Sequence, residues 1–350
     1  MKESLWRLKK LVKKEIEQQR KHDVKLSRSL WLWRHGFLSE ADPYYDFERY
    51  GVDRYLSHWQ RMMKTKDING HFSQILNDKL IFHKFISTDF PQHVPNVYFY
   101  FSGGRCYSID EHYTNIPELL NKRDEREFIL KPREGGGGQG VYLLKQIEGA
   151  SNDELQIKSA DGSRQVQANE LVRFDDYLLS EYVKQDSYSS SIFSKSSNTL
   201  RILTMIDPKT NEPFVAGAIH RFGVENTAPL DNFSQGGGTT QVDLDTGELG
   251  KTAFQSGGEL DWVTQHIETE APIEGVYIPS WDTIVDNLLK ITESLSFIPY
   301  IGWDVIVIND QGKFSIAEAN SYPDPDVLQI HKPLLNRKKV NRFYRYHSVV

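Results

Sequence analysis

Residues 127–147 read EFILKPREGGGGQGVYLLKQI. An apolar run, a glycine cluster and a second apolar run follow one another directly, which predicts a β-hairpin with a pliable tip. Gly135, Gly137 and Gly140 satisfy the spacing GxGxxG, but that fingerprint needs a helix to begin at its end, so that the helix N-terminus meets a pyrophosphate. Here Val141-Tyr142-Leu143-Leu144 reads as strand instead. No Lys-Ser/Thr pair follows the glycines, which excludes a P-loop. What remains is a flap made of Gly135, Gly136, Gly137, Gly138 and Gly140, whose N–H groups can fold over phosphate oxygens as a backbone nest. Lys131 stands at its base.

A second stretch, GWDVIVINDQGKFSIAEAN at 302–320, contains two strand-like runs joined by an Asp310-Gln311-Gly312 turn. Pairing them brings Asp304 near Glu318 and Asn320, and the period of two puts Glu318 and Asn320 on one face. An unpaired carboxylate between Ile316, Ala317 and Ala319 would be costly, so a partner for Glu318 is expected. Two carboxylates and an amide beside nucleotide phosphates form a set suited to Mg²⁺, which prefers hard oxygens and keeps part of its shell for phosphate and water.

Working outward, strand-like runs recur at DYLLSEYV, TLRILTMI, FVAGAIHRFG and TQVDLD, with turns at Asp161-Gly162 and Thr246-Gly247 and a helix at SWDTIVDNLLKITESL. The stretch FSQILNDKLIFHKFI from Phe72 reads as one helix, stopped before Pro91 and Pro95. The expected class is α+β with antiparallel sheets. We divide the chain into a helical N-terminal region at 1–69, a subdomain with the glycine flap at 70–183 and a subdomain with the metal site at 184–350.

With 350 residues, 39% hydrophobic and 26% charged, the chain has the makings of a globular core and neither a disordered nor a fibrous composition. A formal net charge of -6 gives no field that favours nucleic acid. The single Cys106 makes no internal disulfide and reads as a buried or neutral thiol; with no long apolar run and no secretory pattern at the N-terminus, a cytoplasmic setting is expected. Residues 1–28 carry a local charge of +6. There Leu5, Leu8, Val12 and Ile16 recur at helical spacing among lysines. The favoured reading is a helix packed on the body through this stripe; contact with an anionic membrane surface is the alternative not favoured.

The chain resembles the ATP-grasp superfamily through Asn77-Asp78-Lys79, Phe128-Ile129-Leu130-Lys131-Pro132 with its flap, Leu179-Ser180-Glu181-Tyr182-Val183, Asn198-Thr199-Leu200-Arg201, and Asp304, Glu318 and Asn320. Within it the chain is most similar to the sugar-transfer-associated group, through Trp33-Arg34-His35-Gly36-Phe37, Asp231-Asn232-Phe233-Ser234-Gln235-Gly236-Gly237 and Gly302-Trp303-Asp304. The resemblance implies two α+β subdomains that sandwich ATP. It implies that Lys79 and Lys131 bind phosphates, that Glu181, Tyr182 and Val183 form a hinge reading the adenine, and that Asp186 reaches the ribose. Arg201, and with it Arg221, would neutralise the transferring phosphoryl, with Mg²⁺ at Asp304, Glu318 and Asn320 and Mn²⁺ able to substitute.

The implied activity is ADP-forming ligation of a small-molecule carboxylate to an amine or similar nucleophile, sugars among the substrates, in the making or decoration of a surface polysaccharide or in amino-sugar modification. The alternatives are a small-molecule kinase on the same fold or an inactive nucleotide-binding scaffold. Acceptor recognition is expected at two loops facing one cavity, with Asn232, Ser234, Gly236 and Gly237 in one and Ser321 and Tyr322 in the other. His220, His266 and His331 are expected to serve in packing or acceptor binding. The acid, the nucleophile and the oligomeric state are left open.

Overall fold

A computed structural model describes residues 2–122, 126–147, 154–159 and 162–350. The N-terminal region is helical, as its aromatic-rich segments suggest: α1 (Lys2–His22), α2 (Leu26–Arg34), α3 (Ala41–Tyr44), α4 (Phe47–Tyr50) and α5 (His58–Lys64). Ser57 and Gln60 close a capping box at the start of α5. Leu32, Phe37, Tyr45, Phe47 and Tyr55 share a core with Phe233, Ala253 and Ile330, so this region is packed onto the body. The single helix expected from Phe72 is two, α6 (Ser73–Asn77) and α7 (Lys79–Asp89). The break falls at Asp78, whose carboxylate accepts from the N–H groups of Leu80 and Ile81 and caps α7. That cap puts Lys79 in the first turn of α7.

Two sheets follow, with every strand pairing antiparallel. The first takes β1 (Val97–Ser102), β2 (Arg105–Ser108), β3 (Glu127–Pro132), β4 (Tyr142–Gln146), β5 (Glu154–Ser159), β6 (Gly162–Gln167) and β7 (Tyr177–Glu181), in the order β2-β1-β7-β3-β4-β5-β6. Its inward side chains, Phe99, Phe128, Leu130 and Leu144 among them, are covered by α8 (Ile116–Lys122) and a 3₁₀ turn at Ala168–Arg173. Of the expected Asp161-Gly162 turn, Asp161 lies outside the described residues. Cys106 is exposed on the edge strand β2 rather than buried.

After α9 (Ser187–Ile192) the second sheet takes β8 (Leu200–Ile206), β9 (Pro213–Phe222), β10 (Gly238–Val242), β11 (Leu249–Ser256), β12 (Glu259–Val263), β13 (Tyr300–Val307) and β14 (Phe314–Asn320), in the order β12-β11-β10-β9-β8-β13-β14. One face is covered by α10 (Trp281–Ser294) together with Leu76, Phe82 and Ile86 of α6 and α7. In core packing, α6 and α7 therefore go with the second sheet rather than with the strands of the first. The other face is covered by α11 (Asp326–Gln329) and α12 (Lys338–Tyr346) through Leu328, Phe343 and Tyr344.

The orientation of α1 differs from the expectation. Arg7 and Glu15 are buried, whereas Leu5, Leu8, Val12 and Ile16 are exposed, so the helix packs through its polar face. The cause is a set of charged anchors. Arg7 donates to Met63 O (3.0 Å) and to the Asp67 carboxylate (2.7 and 2.9 Å). Glu15 accepts from the Ser39 N–H and hydroxyl. Lys14 pairs with Glu40, and Glu40 lies 2.9 Å from His58 Nε2. The Leu38 N–H donates to His58 Nδ1, so the imidazole proton sits on Nε2, facing the carboxylates of Glu40 and Asp326.

Burial alone would raise the Glu40 carboxyl, but His58 and Lys14 prevail and lower it from 4.5 to about 2. The unfolded chain thus takes up a proton near pH 4.5 that the folded chain refuses until about pH 2. The contribution, about 3 kcal/mol, is complete above the unfolded value and is lost as pH falls through this window. Glu40→Gln should therefore lower the unfolding free energy by about 3 kcal/mol at neutral pH and by far less at about pH 2.5. Urea melts at the two pH values check this; equal losses at both would assign the anchor to packing instead of charge.

Candidate active site

The middle strands β7 and β3 of the first sheet and the run β9-β8-β13-β14 of the second face each other across a cleft of about 190 Å³. β3 and β7 supply Ile129, Lys131, Ser180 and Glu181, the flap supplies Gly135 to Gln139, and Tyr182 and Val183 follow β7. The second sheet supplies Arg201 on β8, Arg221 on β9, Asp304 and Ile306 on β13, and Glu318 and Asn320 on β14, with Lys79 at the start of α7. Residues assigned from five separate segments thus line one cleft.

Strand register explains the centre of the site. Asp304 stands directly opposite Arg201 on one side and Glu318 on the other, and Gly302 stands opposite Asn320. Arg201 grips Asp304 with two contacts, Nε to Oδ1 at 2.6 Å and Nη2 to Oδ2 at 3.0 Å. Arg221 approaches the same carboxylate at 3.3 Å and Asp231 at 3.5 Å. Asp231 accepts from both the N–H and the hydroxyl of Thr199, at 2.7 and 2.6 Å, and Arg221 Nε donates to that hydroxyl oxygen at 3.1 Å. Desolvation raises the Asp231 carboxyl despite Arg221 beside it.

From the first sheet, Lys131 reaches across the cleft and donates to Ala317 O at 3.2 Å. Lys79 donates to Gly135 O at 2.8 Å and lies 3.6 Å from Glu318 Oε1, so it ties the flap to the carboxylate below it. Arg133 pairs with Asp78 and Asp176, and its carbonyl accepts from Lys79 N at 3.0 Å, which fixes the flap base against the capped end of α7. At the flap tip Asn232 Nδ2 donates to Gly137 O at 3.0 Å. Gly138 has φ +69°, and a Cβ there would come 2.6 Å from Asn232 Nδ2, so this close approach requires glycine.

Asp304 Oδ1 tests whether a divalent cation fits. It is buried between two guanidinium groups, Arg201 Nε at 2.6 Å and Arg221 Nη2 at 3.3 Å, with ideal hydrogen-bond geometry to neither. The fit therefore rests on the chemistry of the donor set. The carboxylates of Asp304 and Glu318 and the amide of Asn320 are all hard oxygen donors in one wall, and this donor chemistry suits Mg²⁺. A second group, Glu40, His58 and Asp326, also offers ligand atoms within 4.8 Å of one another, but Lys14 and Arg61 already pair with its carboxylates.

Other assigned residues lie elsewhere. Asp186 caps α9 by accepting from Tyr188 N at 2.8 Å and does not line the cleft. Glu181 does, with one oxygen held by the backbone and side chain of Asn96. Of the first acceptor loop only Asn232 reaches the wall; Ser234 is exposed and Gly236 turns the chain at φ +113°. A Cβ at Gly237 would come 2.7 Å from Asp231 O, which gives this glycine a packing role. Ser321 donates to Asn77 Oδ1 at the end of α6 and Tyr322 lies under the Arg61 guanidinium of α5, so both are engaged by helices. His220 and His331 are buried, stacked on Phe222 and packed edge-on against Trp262 respectively; burial lowers each to about 3.

Burial, with the Lys79 cation adding to it and Glu318 opposing, lowers Lys131 from 10.5 to about 8. As pH rises through that value the free site loses a cation, so polyanion affinity should weaken. Titrating tripolyphosphate or ATP should give a Kd that is flat below about pH 7 and rises toward tenfold per pH unit above about pH 8. Lys131→Arg should remove the rise, because guanidinium does not titrate there. An unchanged slope in that variant would assign the pH dependence to another group.

A family model described as sugar-transfer associated ATP-grasp matches residues 61–342. No curated protein matches the chain. Among solved structures, the D-alanine–D-alanine ligase from Helicobacter pylori is similar at 12% identity, covering 77% of this chain and 61% of that one with a TM-score of 0.38. The biotin carboxylase β,γ-ATP complex from Campylobacter jejuni is similar at 12% identity, covering 77% and 47% with a TM-score of 0.37. The ADP complex of purK, an N5-carboxyaminoimidazole ribonucleotide synthetase, is similar at 11%, covering 75% and 52% with a TM-score of 0.36. The chain thus spans about half to three fifths of the length of these structures. The family match extends over most of the chain and includes every residue assigned to the cleft: the chain belongs to the sugar-transfer associated ATP-grasp family.

Proposed function

We propose that the chain is an ATP- and Mg²⁺-dependent ligase that activates a carboxylate as an acyl phosphate for attack by an amine or a similar nucleophile. The observation that carries this reading over a kinase is the pairing of the acidic groups. Among the described residues lining the cleft, Glu181 is held by Asn96, Asp231 by Thr199 and Arg221, Asp304 by Arg201, and Glu318 faces Lys79. No histidine lines it. A hydroxyl acceptor calls for a group that takes its proton in the transition state; Asp231, Asp304 and Glu318 each face a cation, and Glu181 belongs to the hinge that reads the adenine. A carboxylate acceptor arrives without a proton to remove.

The reaction balances without a covalent enzyme intermediate. A carboxylate oxygen attacks the γ-phosphorus, the bond to the β,γ-bridging oxygen breaks, and ADP leaves. The nucleophile then attacks the acyl carbon, the carbon–oxygen bond to phosphate breaks, and the departing phosphate takes up the proton that the amine loses. Lys79, Lys131 and Arg201 would counter the charge on the phosphoryl oxygens, with Arg221 beside them on Asp304 and Asp231. Asp304, Glu318 and Asn320 would hold Mg²⁺, which when bound neutralises phosphate oxygens. Tyr182 and Val183 offer backbone groups to the adenine, between apolar Ile129 and Ile306.

The free space in the cleft is below the 300–1,000 Å³ of ordinary ligand sites, so the flap has to lift for a nucleotide to enter. Lifting it breaks the Asn232–Gly137 and Lys79–Gly135 bonds, and reclosure would exclude the water that hydrolyses an acyl phosphate. We place the two subdomains at 70–183 and 184–350, with α6 and α7 packed on the second. Asn232, at the meeting of flap and second loop, is the residue we assign to the acceptor side. The family's link to sugar transfer suggests an amino sugar or a surface-polysaccharide precursor as acceptor or product, handled in the cytoplasm.

Product analysis with a panel of acids and amines tests the reading. Ligation requires both substrates and releases ADP and phosphate in equal amounts; ADP without phosphate would indicate a kinase, and no turnover a scaffold. Asp304→Asn and Glu318→Gln should each lower turnover by at least about 10²-fold while leaving the circular dichroism unchanged. Gly138→Ala, strained in φ and crowded by Asn232, should raise the ratio of wasted ATP hydrolysis to ligated product. An unchanged ratio would exclude a shielding role for the flap.

A further inference from the structure

The surface of the N-terminal region carries the largest feature that the cleft chemistry does not use. On α1, Leu5, Val12 and Ile16 are 54%, 51% and 49% exposed, and Trp6, Leu8, Leu26, Leu30, Trp33 and Trp59 are exposed with them. These nine are half of the exposed large hydrophobic side chains among the described residues, gathered within the first 59 positions. Such a concentration on a folded surface marks a place where something binds.

The outward orientation is built in. Arg7 is held by Met63 and Asp67, Lys14 by Glu40, Glu15 by Ser39, Lys21 by Gln255 and His22 by Gly258. Rolling the apolar stripe inward would break all five anchors and strand charge against the body. Beside the stripe stand Lys9, Lys10 and Lys13, all exposed. Residues 1–28 carry a charge of +6, and the remaining residues carry -12. The apolar face continues into a groove between α1, α2 and α5 lined by Val12, Ile16, Trp33 and Trp59.

We propose that this face docks the protein on an anionic phospholipid surface, with α1 lying in the interface plane. Charge selects the occupant: a lysine-flanked apolar stripe complements a layer that is anionic above and apolar beneath, while the acidic remainder of the molecule is held off the same surface. Tryptophans at the margins of the stripe suit the headgroup level. Among the described residues no helix is long and apolar enough to cross a membrane, so the contact is peripheral. This inference does not depend on the ligase reading.

Co-sedimentation of the full chain with vesicles tests it. Binding is expected to vesicles of phosphatidylcholine with about one third phosphatidylglycerol, and to be at least about tenfold weaker to phosphatidylcholine alone. Val12→Gln with Ile16→Gln should reduce binding by about 10- to 100-fold, because the replaced side chains no longer bury apolar area. Lys9→Gln with Lys13→Gln, a separate variant that leaves the stripe intact, should reduce it about 10- to 30-fold. The proposal is overturned if the wild type binds neither vesicle or both equally, or if neither variant weakens binding. It is equally overturned if light scattering shows a dimer that the Val12/Ile16 variant dissolves, since the face would then join two copies.

Discussion

One register across three strands places the chemistry of this molecule. Arg201, Asp304 and Glu318 lie side by side on β8, β13 and β14, pointing into the same cleft. Their neighbours point the other way: Trp303 and Val305 are fully buried, and the Trp303 indole donates to Thr204 Oγ1 at 2.8 Å. Slipping β13 by one residue would turn Trp303 toward the cleft and Asp304 into the core. The cost of burying an unpaired carboxylate and exposing a tryptophan makes that slip inaccessible. The hydrophobic core thus enforces the position of the carboxylate we propose as a metal ligand.

Around this line the site is an electrostatic compromise. Lys79, Lys131, Arg201 and Arg221 gather in a confined space, and the carboxylates that face them keep the wall from being an unneutralised cluster of cations. Lys131 gives the clearest sign of strain, because burial and Lys79 together make its proton easier to lose. A polyanion entering the cleft would compete with those carboxylates for the cations. Anchoring from outside holds the geometry in place. Arg133 fixes the flap base, and Arg61 with His58 pins the loop after Asn320 through Asp324 and Asp326.

Much of this was legible because alternation and turn chemistry act locally. The hairpin at 127–147 and the pairing of Asp304 with Glu318 follow from period-two patterns and a glycine-rich or Asp-Gln-Gly turn. The same alternation would have placed Ile129, two residues before Lys131, and Ile306, two after Asp304, in the cleft wall. Asp231 was harder to see, because its partner Thr199 is 32 residues away. What failed depended on long-range contacts. Ser321 and Tyr322 follow β14, yet they pack on Asn77 of α6 and on Arg61 of the N-terminal region. Asp186 was drawn into a cap by the first turn of α9, and α1 turned its polar face inward because salt bridges to distant residues outweighed its apolar stripe.

We propose that one cleft between the two sheets holds triphosphate and divalent cation together, with the cation at Asp304, Glu318 and Asn320. A crystal structure with a non-hydrolysable ATP analogue and Mn²⁺, read from its anomalous difference map, tests this. The expected result is a Mn²⁺ peak bounded by those three side chains and the analogue's phosphates, with Lys79 and Lys131 on the phosphate oxygens and adenine beside Tyr182 and Val183. A peak at Glu40, His58 and Asp326, or a nucleotide bound outside the cleft, would contradict it.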